Sequence, residues 1–349
     1  MGSVTISRGA FTCVICLSVI STWALCFLTM SIYPLDLSIV MKHKSFTEPN
    51  LTRRLSFFDR THRISDIKQA LETEFNKHID LVKVLQLRAN ITDRRLSSNM
   101  TILIPPHQQD GGRVKFYRYK NMKTPPKGLQ FIPQQRTCAV IGNSGILLNS
   151  KCGAEIDAHD FVLRSNMAPR ENYTDDVGNQ TDVMTVNSMA TKIALKCIMD
   201  NTSSCYSKYL DIYRYLNGSI LWFAKFGVSA KSHLQFVSFF MKHNLNILIA
   251  HPPRSLKGMI ASMWDMLEQR YSPSSGLFLY TVTVSICDKI SLYGFYPFNT
   301  APDGRELPYH YYDRYTTFKS GHNMSHEFHK LVSLSKQGYF RMVTDECVV

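Results

Sequence analysis

The chain has 349 residues, 44% of them hydrophobic and 19% charged, so a sizeable core can form and wholesale disorder is excluded. Forty Lys and Arg against 27 Asp and Glu leave a formal charge of +13, which selects anionic partners: nucleic acid, acidic membrane, phosphates or carboxylate sugars. An uncharged segment near the start of the chain moves nucleic acid far down that set.

That segment runs from Gly9 to Leu35, and its part from Phe11 to Tyr33 is apolar enough to cross a bilayer of roughly 30 Å. It is longer than the apolar region of a cleaved signal peptide and no A-x-A site follows it, so a retained anchor is preferred over cleavage. Arg8 before the span, against Lys42 and Lys44 after it, does little to orient it. The N-x-S/T tripeptides do more: Asn50, Asn90, Asn99, Asn172, Asn179, Asn201, Asn217 and Asn323 all begin one, and all follow the span. The expected organisation is type II: a cytosolic tail at 1–10, a transmembrane signal anchor at 11–33, a stem at 34–62 and a lumenal body at 63–349.

Cys13, Cys16 and Cys26 lie in or beside the span, as apolar filler or as acylation sites. The six others, Cys138, Cys152, Cys197, Cys205, Cys287 and Cys347, form an even set in an oxidising compartment. None has zinc-ligand spacing, which favours disulfides over metal, although counting does not give their connectivity.

Residues 34–60 are polar, basic and weakly patterned, as suits a stem. From Arg63 to Leu87 the residues Ile64, Ile67, Leu71, Phe75, Ile79, Val82 and Leu85 recur at helical spacing. Pro and Gly pairs between 99 and 135 predict loops around a short strand at Val114–Tyr119. Thr137 to Ile141 is then a buried strand that turns on Gly142-Asn143-Ser144-Gly145 towards a helix, the opening of a nucleotide-binding α/β unit or simply a tight structural turn. Further strands are expected at Phe161–Arg164, Asp182–Val186, Ser219–Phe223, Asn246–Ala250 and Ile290–Tyr293, and helices at Lys231–His243, Arg254–Arg270 and Gly276–Cys287. Strands alternating with helices predict an α/β fold with a largely parallel sheet covered on both faces.

Four motifs then converge on one family. Residues 138–169, C-A-V-I-G-N-S-G-I-L-L-N-S-K-C-G-A-E-I-D-A-H-D-F-V-L-R-S-N-M-A-P, closely resemble the large motif of animal sialyltransferases. Residues 274–298, from S-S-G-L-F-L-Y to C-D-K-I-S-L-Y-G-F-Y-P-F, resemble the small motif. Y-H-Y-Y-D at 309–313 and H-N-M-S-H-E at 322–327 resemble the third and very small motifs. I-G-N-S-G-I-L and Y-H-Y-Y-D look most like the α-2,8-sialyltransferase branch.

The resemblance implies a GT-A-like, single Rossmann-type sheet in a Golgi membrane enzyme, with CMP-sialic acid as donor and a sialylated glycolipid or glycoprotein as acceptor. It implies that Asn143, Ser144 and Asn166 contact the nucleotide sugar, and that Ser274, Ser275 and Gly276 hold the donor. Tyr296 stands where relatives usually have Trp, Tyr309 and His310 would address the phosphate, and His322 would be the catalytic base. It also implies bridges Cys138–Cys287 and Cys152–Cys347, leaving Cys197–Cys205 as the third pair.

The chemistry is consistent with those residue types. Transfer from a CMP-sugar needs a base for the acceptor hydroxyl, donors for the departing phosphate, and support for an oxocarbenium-like transition state. Displacement from the face opposite CMP inverts the anomeric centre. The sequence has no D-x-D, so neither a metal nor any other cofactor is expected. His326 reads as a solvated helix residue, Tyr311 and Tyr312 as core aromatics, and Asp157, Asp160, Asp175 and Asp176 as caps and turn residues. Ser165 replaces the Cys that many relatives carry before Asn166. Polysialylating relatives carry a strongly basic stretch before the small motif, whereas here the basic residues before 274 are diluted by Asp265 and Glu268, so the resemblance disfavours polymerisation. The alternatives are an α-2,3- or α-2,6-sialyltransferase, a polysialyltransferase and an inactive lumenal glycan-binding protein, and a homo-oligomer is among the partner expectations.

Overall fold

The computed structural model describes residues 51–93, 102–104, 109–110, 113–114, 132–223, 230–251, 260–261, 263–264, 272–314 and 321–347. The expected anchor at 11–33, most of the stem, and the greater part of the expected helix Arg254–Arg270 lie outside them. Among the described residues no helix is long and apolar enough to cross a membrane. The chain divides into two compact units, Met1–Asp59 and Arg60–Val349, and the sheet belongs to the second.

Two helices precede the sheet. Helix α1 spans Leu51–His78 and α2 spans Leu81–Asp93. The apolar period predicted one helix from Arg63, but the helical backbone starts at Leu51 and is interrupted at Ile79-Asp80. There the Asp80 carboxylate accepts the Val82 N–H at 3.0 Å, and the Asp80 N–H donates to Gly338 O at 2.8 Å. An acidic residue that accepts the first amide restarts a helix. Ile67, Leu71 and Phe75 are buried, whereas Ile64, Val82 and Leu85 of the same predicted stripe are exposed.

The remaining elements, in chain order, are β1 (Ile102–Ile104), β2 (Gln109–Asp110), β3 (Arg113–Val114), β4 (Gln135–Ile141), α3 (Gly153–Asp157), β5 (Phe161–Arg164), α4 (Thr174–Val177), β6 (Val183–Thr185), α5 (Ser188–Met199), α6 (Tyr206–Tyr215), β7 (Ile220–Trp222), α7 (Ala230–Lys242), β8 (Leu248–His251), α8 (Ser275–Val284), β9 (Cys287–Tyr293), α9 (Met324–Lys336) and β10 (Arg341–Val343). Eight strands form one sheet in the order β1-β8-β7-β6-β5-β4-β9-β10, parallel except for β1. The expected α/β class and parallel sheet are therefore present.

Strand β4 shows why the sequence reads as an unbroken apolar run there. Cys138 and Val140 pack on one face with Leu277, Phe278 and Ile290, while Ala139 and Ile141 pack on the other with Ile156, Val162 and Val177. A strand covered on both faces has no polar side to alternate with. Helix α8 is enclosed similarly, with Leu277 to Thr281, Thr283 and Val284 all buried. That uninterrupted apolar stretch explains one correction: the helix expected to reach Cys287 ends at Val284, and Cys287 opens β9. Helices α5 and α6 have no counterpart among the sequence-based expectations.

Three disulfides join Cys138 to Cys287, Cys152 to Cys347 and Cys197 to Cys205, the pairs that the resemblance and elimination imply. The first links adjacent strands β4 and β9. The second fastens the segment after β10 beside α3, and the third ties α5 to the start of α6.

Candidate active site

The chain order in the sheet reverses at β4: β5 to β8 extend to one side, and the chain then crosses to β9 on the other. In open α/β sheets the crevice beyond the carboxyl ends at such a reversal is where ligands bind. Ile141 pairs with Tyr293, so the turns that leave β4 and β9 begin side by side. A Cβ on Gly142 would stand 2.3 Å from Gly294 O, and Gly294 has φ +70°, so both positions need glycine. Ser144 Oγ accepts the Ile146 N–H at 3.2 Å and starts a single 3₁₀ turn, Gly145–Leu147, where a helix is expected from the sequence.

Beyond β5, Asn166 and Met167 both have left-handed backbones, with φ of 58° and 57°. Such geometry costs energy and is kept where the surroundings impose it. Here the Asn166 N–H donates to Thr185 Oγ1 at 2.9 Å and the Met167 N–H to Thr185 O at 3.1 Å, both on neighbouring β6. Asn187, after β6, caps α5 by accepting the Ala190 N–H at 2.8 Å. Ser274 caps α8 by accepting the Leu277 N–H at 3.1 Å.

These turns and caps border one cleft, with an empty volume of about 850 Å³ that opens to solvent. Asn143, Ser144, Asn166, Ser274, Ser275, Gly276, Tyr296, Tyr309, His310 and His322, all singled out from the sequence, line it together. Tyr296 donates to Thr300 O at 2.9 Å, and its ring packs edge-on against Phe298 and Phe328.

Among the described residues no Lys or Arg lines the cleft. Positive potential comes instead from the N-termini of α5, α8 and α9, whose first residues or caps border the cleft. The two histidines are held by different partners. His322 Nδ1 lies 2.5 Å from Ser272 O; a carbonyl only accepts, so Nδ1 carries the proton and the lone pair of the neutral ring is on Nε2. His310 Nδ1 lies 2.5 Å from Asp313 Oδ2, and its ring stacks on Tyr312 with centroids 5.1 Å apart. Burial pushes the Tyr312 hydroxyl, and that of neighbouring Tyr311, well above the ordinary phenol range. Both tyrosines also belong to the packing, with Tyr311 buried as expected and its hydroxyl donating to Pro169 O at 2.5 Å.

Several contributors, some of them inside the motifs, had no site role assigned from the sequence. Glu327 is only 4% exposed and accepts the Ser274 N–H at 2.8 Å, which couples the first turn of α9 to the start of α8. Asp313 orients His310. Asn187 carried a usable signal, because Asn after an apolar strand and before a helical run is an N-cap pattern. Ser165 lines the cleft, and the buried side-chain oxygens Ser165 Oγ, Asn143 Oδ1 and Asn166 Oδ1 have no hydrogen-bond partner among the described residues. Unpaired buried oxygens at a ligand cleft are groups for a hydroxyl or amine donor to satisfy. His326 needs correction: its Nε2 is buried rather than solvated and has no hydrogen-bond partner among the described residues. Two of the acids behave as turn residues, with Asp157 accepting the Asn179 and Gln180 N–H groups and Asp176 those of Asn149 and Lys151, whereas Asp160 accepts from Thr137 on β4 and pairs with Arg136 and Lys68.

Fold and cleft together define an open-sheet α/β protein with a polar cleft at the carboxyl ends of its strands. The profile of glycosyltransferase family 29 (sialyltransferase) matches residues 115–339, and the chain belongs to that family. It is 32% identical over 221 residues to an alpha-N-acetylneuraminide alpha-2,8-sialyltransferase of Xenopus laevis, covering 62% of this chain and 60% of that relative's length. Two solved mammalian sialyltransferase structures align over 60% of this chain and 70% of their own. One has TM-score 0.41 and 25% identity; the other, in complex with Gal-beta-1-3GalNAc-ortho-nitrophenol, has TM-score 0.40 and 24% identity.

Proposed function

We propose that this protein transfers sialic acid from CMP-sialic acid to a sialylated glycan, forming an α-2,8 linkage with inversion and without a metal, in the Golgi lumen. The observation that carries the reading is the pairing of His322 Nδ1 with a backbone carbonyl on the wall of the cleft that also holds Asn143, Asn166 and the Ser274–Gly276 turn. That pairing presents a neutral imidazole with its lone pair on Nε2, as a base for an acceptor hydroxyl requires. The bond from the acceptor oxygen to the anomeric carbon forms as the bond to the CMP phosphate breaks, and His322 takes the hydroxyl proton. His310, steadied by Asp313, and the Tyr309 hydroxyl donate to the phosphate as charge develops on it. The amides at the start of α8 meet the donor's negative charge. Asn143 and Asn166 offer their carbonyl oxygens to the hydroxyls of the nucleotide sugar. The α-2,8 assignment is supported by the motif wording and by the Xenopus relative.

The test is to give the purified full-length chain CMP-sialic acid with galactose-terminated and sialic-acid-terminated acceptors, then to analyse the linkage. Product on the sialylated acceptor, with an 8-linked terminal residue and undiminished yield in EDTA, is the expected result. Transfer only to galactose would overturn the linkage, and no CMP release with any acceptor would overturn the enzyme.

A further inference from the structure

Helix α5 starts at the rim of the cleft, where Asn187 caps it, and runs back along the sheet. Its inner face is fixed: Thr191, Ala194, Cys197 and Ile198 are buried, Ala194 and Ile198 sit among Phe236, Phe240 and Tyr213, and Cys197 is bridged to Cys205. The outer face is unusual for a solvated helix. Met189, Ile193 and Met199 are 67%, 48% and 55% exposed, and Lys192 and Lys196 are exposed between them. These five residues are spaced by three or four along most of the helix and form one continuous stripe, except for the step from Ile193 to Met199, which Lys196 bridges. Neither lysine has an ion-pair partner among the described residues, and no acidic residue falls on α5 before Asp200.

We propose that this face of α5 is a docking surface for a lipid bilayer bearing anionic headgroups. Large apolar side chains interleaved with lysines on the exposed face of a helix are the composition that lies in a membrane interface, apolar groups towards the acyl boundary and ammonium groups at the headgroup phosphates or carboxylates. A second copy of the chain fits poorly, because a two-fold contact would set Lys192 and Lys196 against their own counterparts with no acid on the stripe to pair them. Because the helix begins at the cleft rim, a bilayer held there brings membrane-borne molecules beside the opening. The docking surface stands independently of the transfer reaction, so the two can fail separately.

Methionine oxidation reads the face directly. The full-length chain is placed in nanodiscs of phosphatidylcholine alone or with phosphatidylserine and exposed briefly to peroxide, and sulfoxide at Met189 is measured against buried Met184. Met189 oxidation is expected to slow about fivefold or more on the anionic discs, and the double variant Lys192→Glu/Lys196→Glu is expected to lose that protection. Equal oxidation on both lipids would overturn the proposal. So would protection that follows protein concentration, which points to self-association, or protection that arises only when an acidic glycoprotein is added.

Discussion

His310 and His326 lie within related sequence motifs but in different surroundings. His310 borders the cleft, with Asp313 at one ring nitrogen and Tyr312 stacked beneath it. His326 is in α9, away from the lining, with its Nε2 buried. Under the proposed mechanism, His310→Ala is expected to lower both CMP affinity and turnover, because a group placed to bind the leaving phosphate acts before and during bond cleavage. His326→Ala is expected to leave both within about threefold of the parent, as side chains that touch neither substrate nor the reacting atoms contribute little to transition-state binding. Calorimetric CMP titration beside initial rates distinguishes them. A third histidine contributes a pH dependence of stability. His159 is buried between Phe75 and Tyr293, and desolvation draws its pKa from 6.5 down to about 4 despite the Glu155 carbonyl at 2.9 Å. Below the unfolded value the open chain binds a proton that the folded chain refuses, so stability is whole above about pH 6.5 and falls as pH drops towards 4. The loss amounts to about 3 kcal/mol. Denaturant unfolding of wild type and His159→Gln across that range should show the acid-side loss smaller in the variant; parallel curves would contradict it.

At the scale of elements, the cleft depends on close backbone approach between the turns after β4 and β9. Gly142→Ala would force a Cβ towards Gly294 O at 2.3 Å, and a main-chain atom cannot swing aside as a side chain can. The expected result is a stability loss of about 1–3 kcal/mol together with weakened CMP binding, read by thermal melts and titration. The Cys197–Cys205 bridge closes a short loop, with a sequence separation of 8, and removing it as a double Ser variant should cost about 2–3 kcal/mol in the chain-entropy model. CMP affinity should hold, since neither cysteine borders the cleft. Asn323 has a structural task of its own: its side chain accepts the His326 N–H at 3.1 Å as the cap of α9, directly beside His322. Its N-x-S sequon is expected to remain unmodified in active protein, and high occupancy in glycopeptide analysis would contradict the site.

For the molecule as a whole, the sequence was most legible where local pattern and family motif coincide. Strands β4 to β9 fall on apolar runs, and the ten motif residues share one cleft. Helix ends were harder, because Val284-Ser285-Ile286-Cys287 passes from helix to strand with no Gly or Pro to mark it. Contacts across the chain were not legible. Glu327 reaching the Ser274 amide, Ser272 O fixing the His322 tautomer, and Arg341 meeting the buried Glu155 each join residues brought together only by the fold. Those long-range contacts turn separate motifs into one cleft, which the proposed mechanism divides into a donor side and a base side. The most direct test of that division is CMP affinity measured beside initial transfer rate in His322→Ala. Turnover should fall by about 10²–10⁴-fold, the usual effect of removing a general base, while CMP binds nearly as in the parent. Near-normal turnover, or loss of CMP binding in a variant that remains folded, would contradict it.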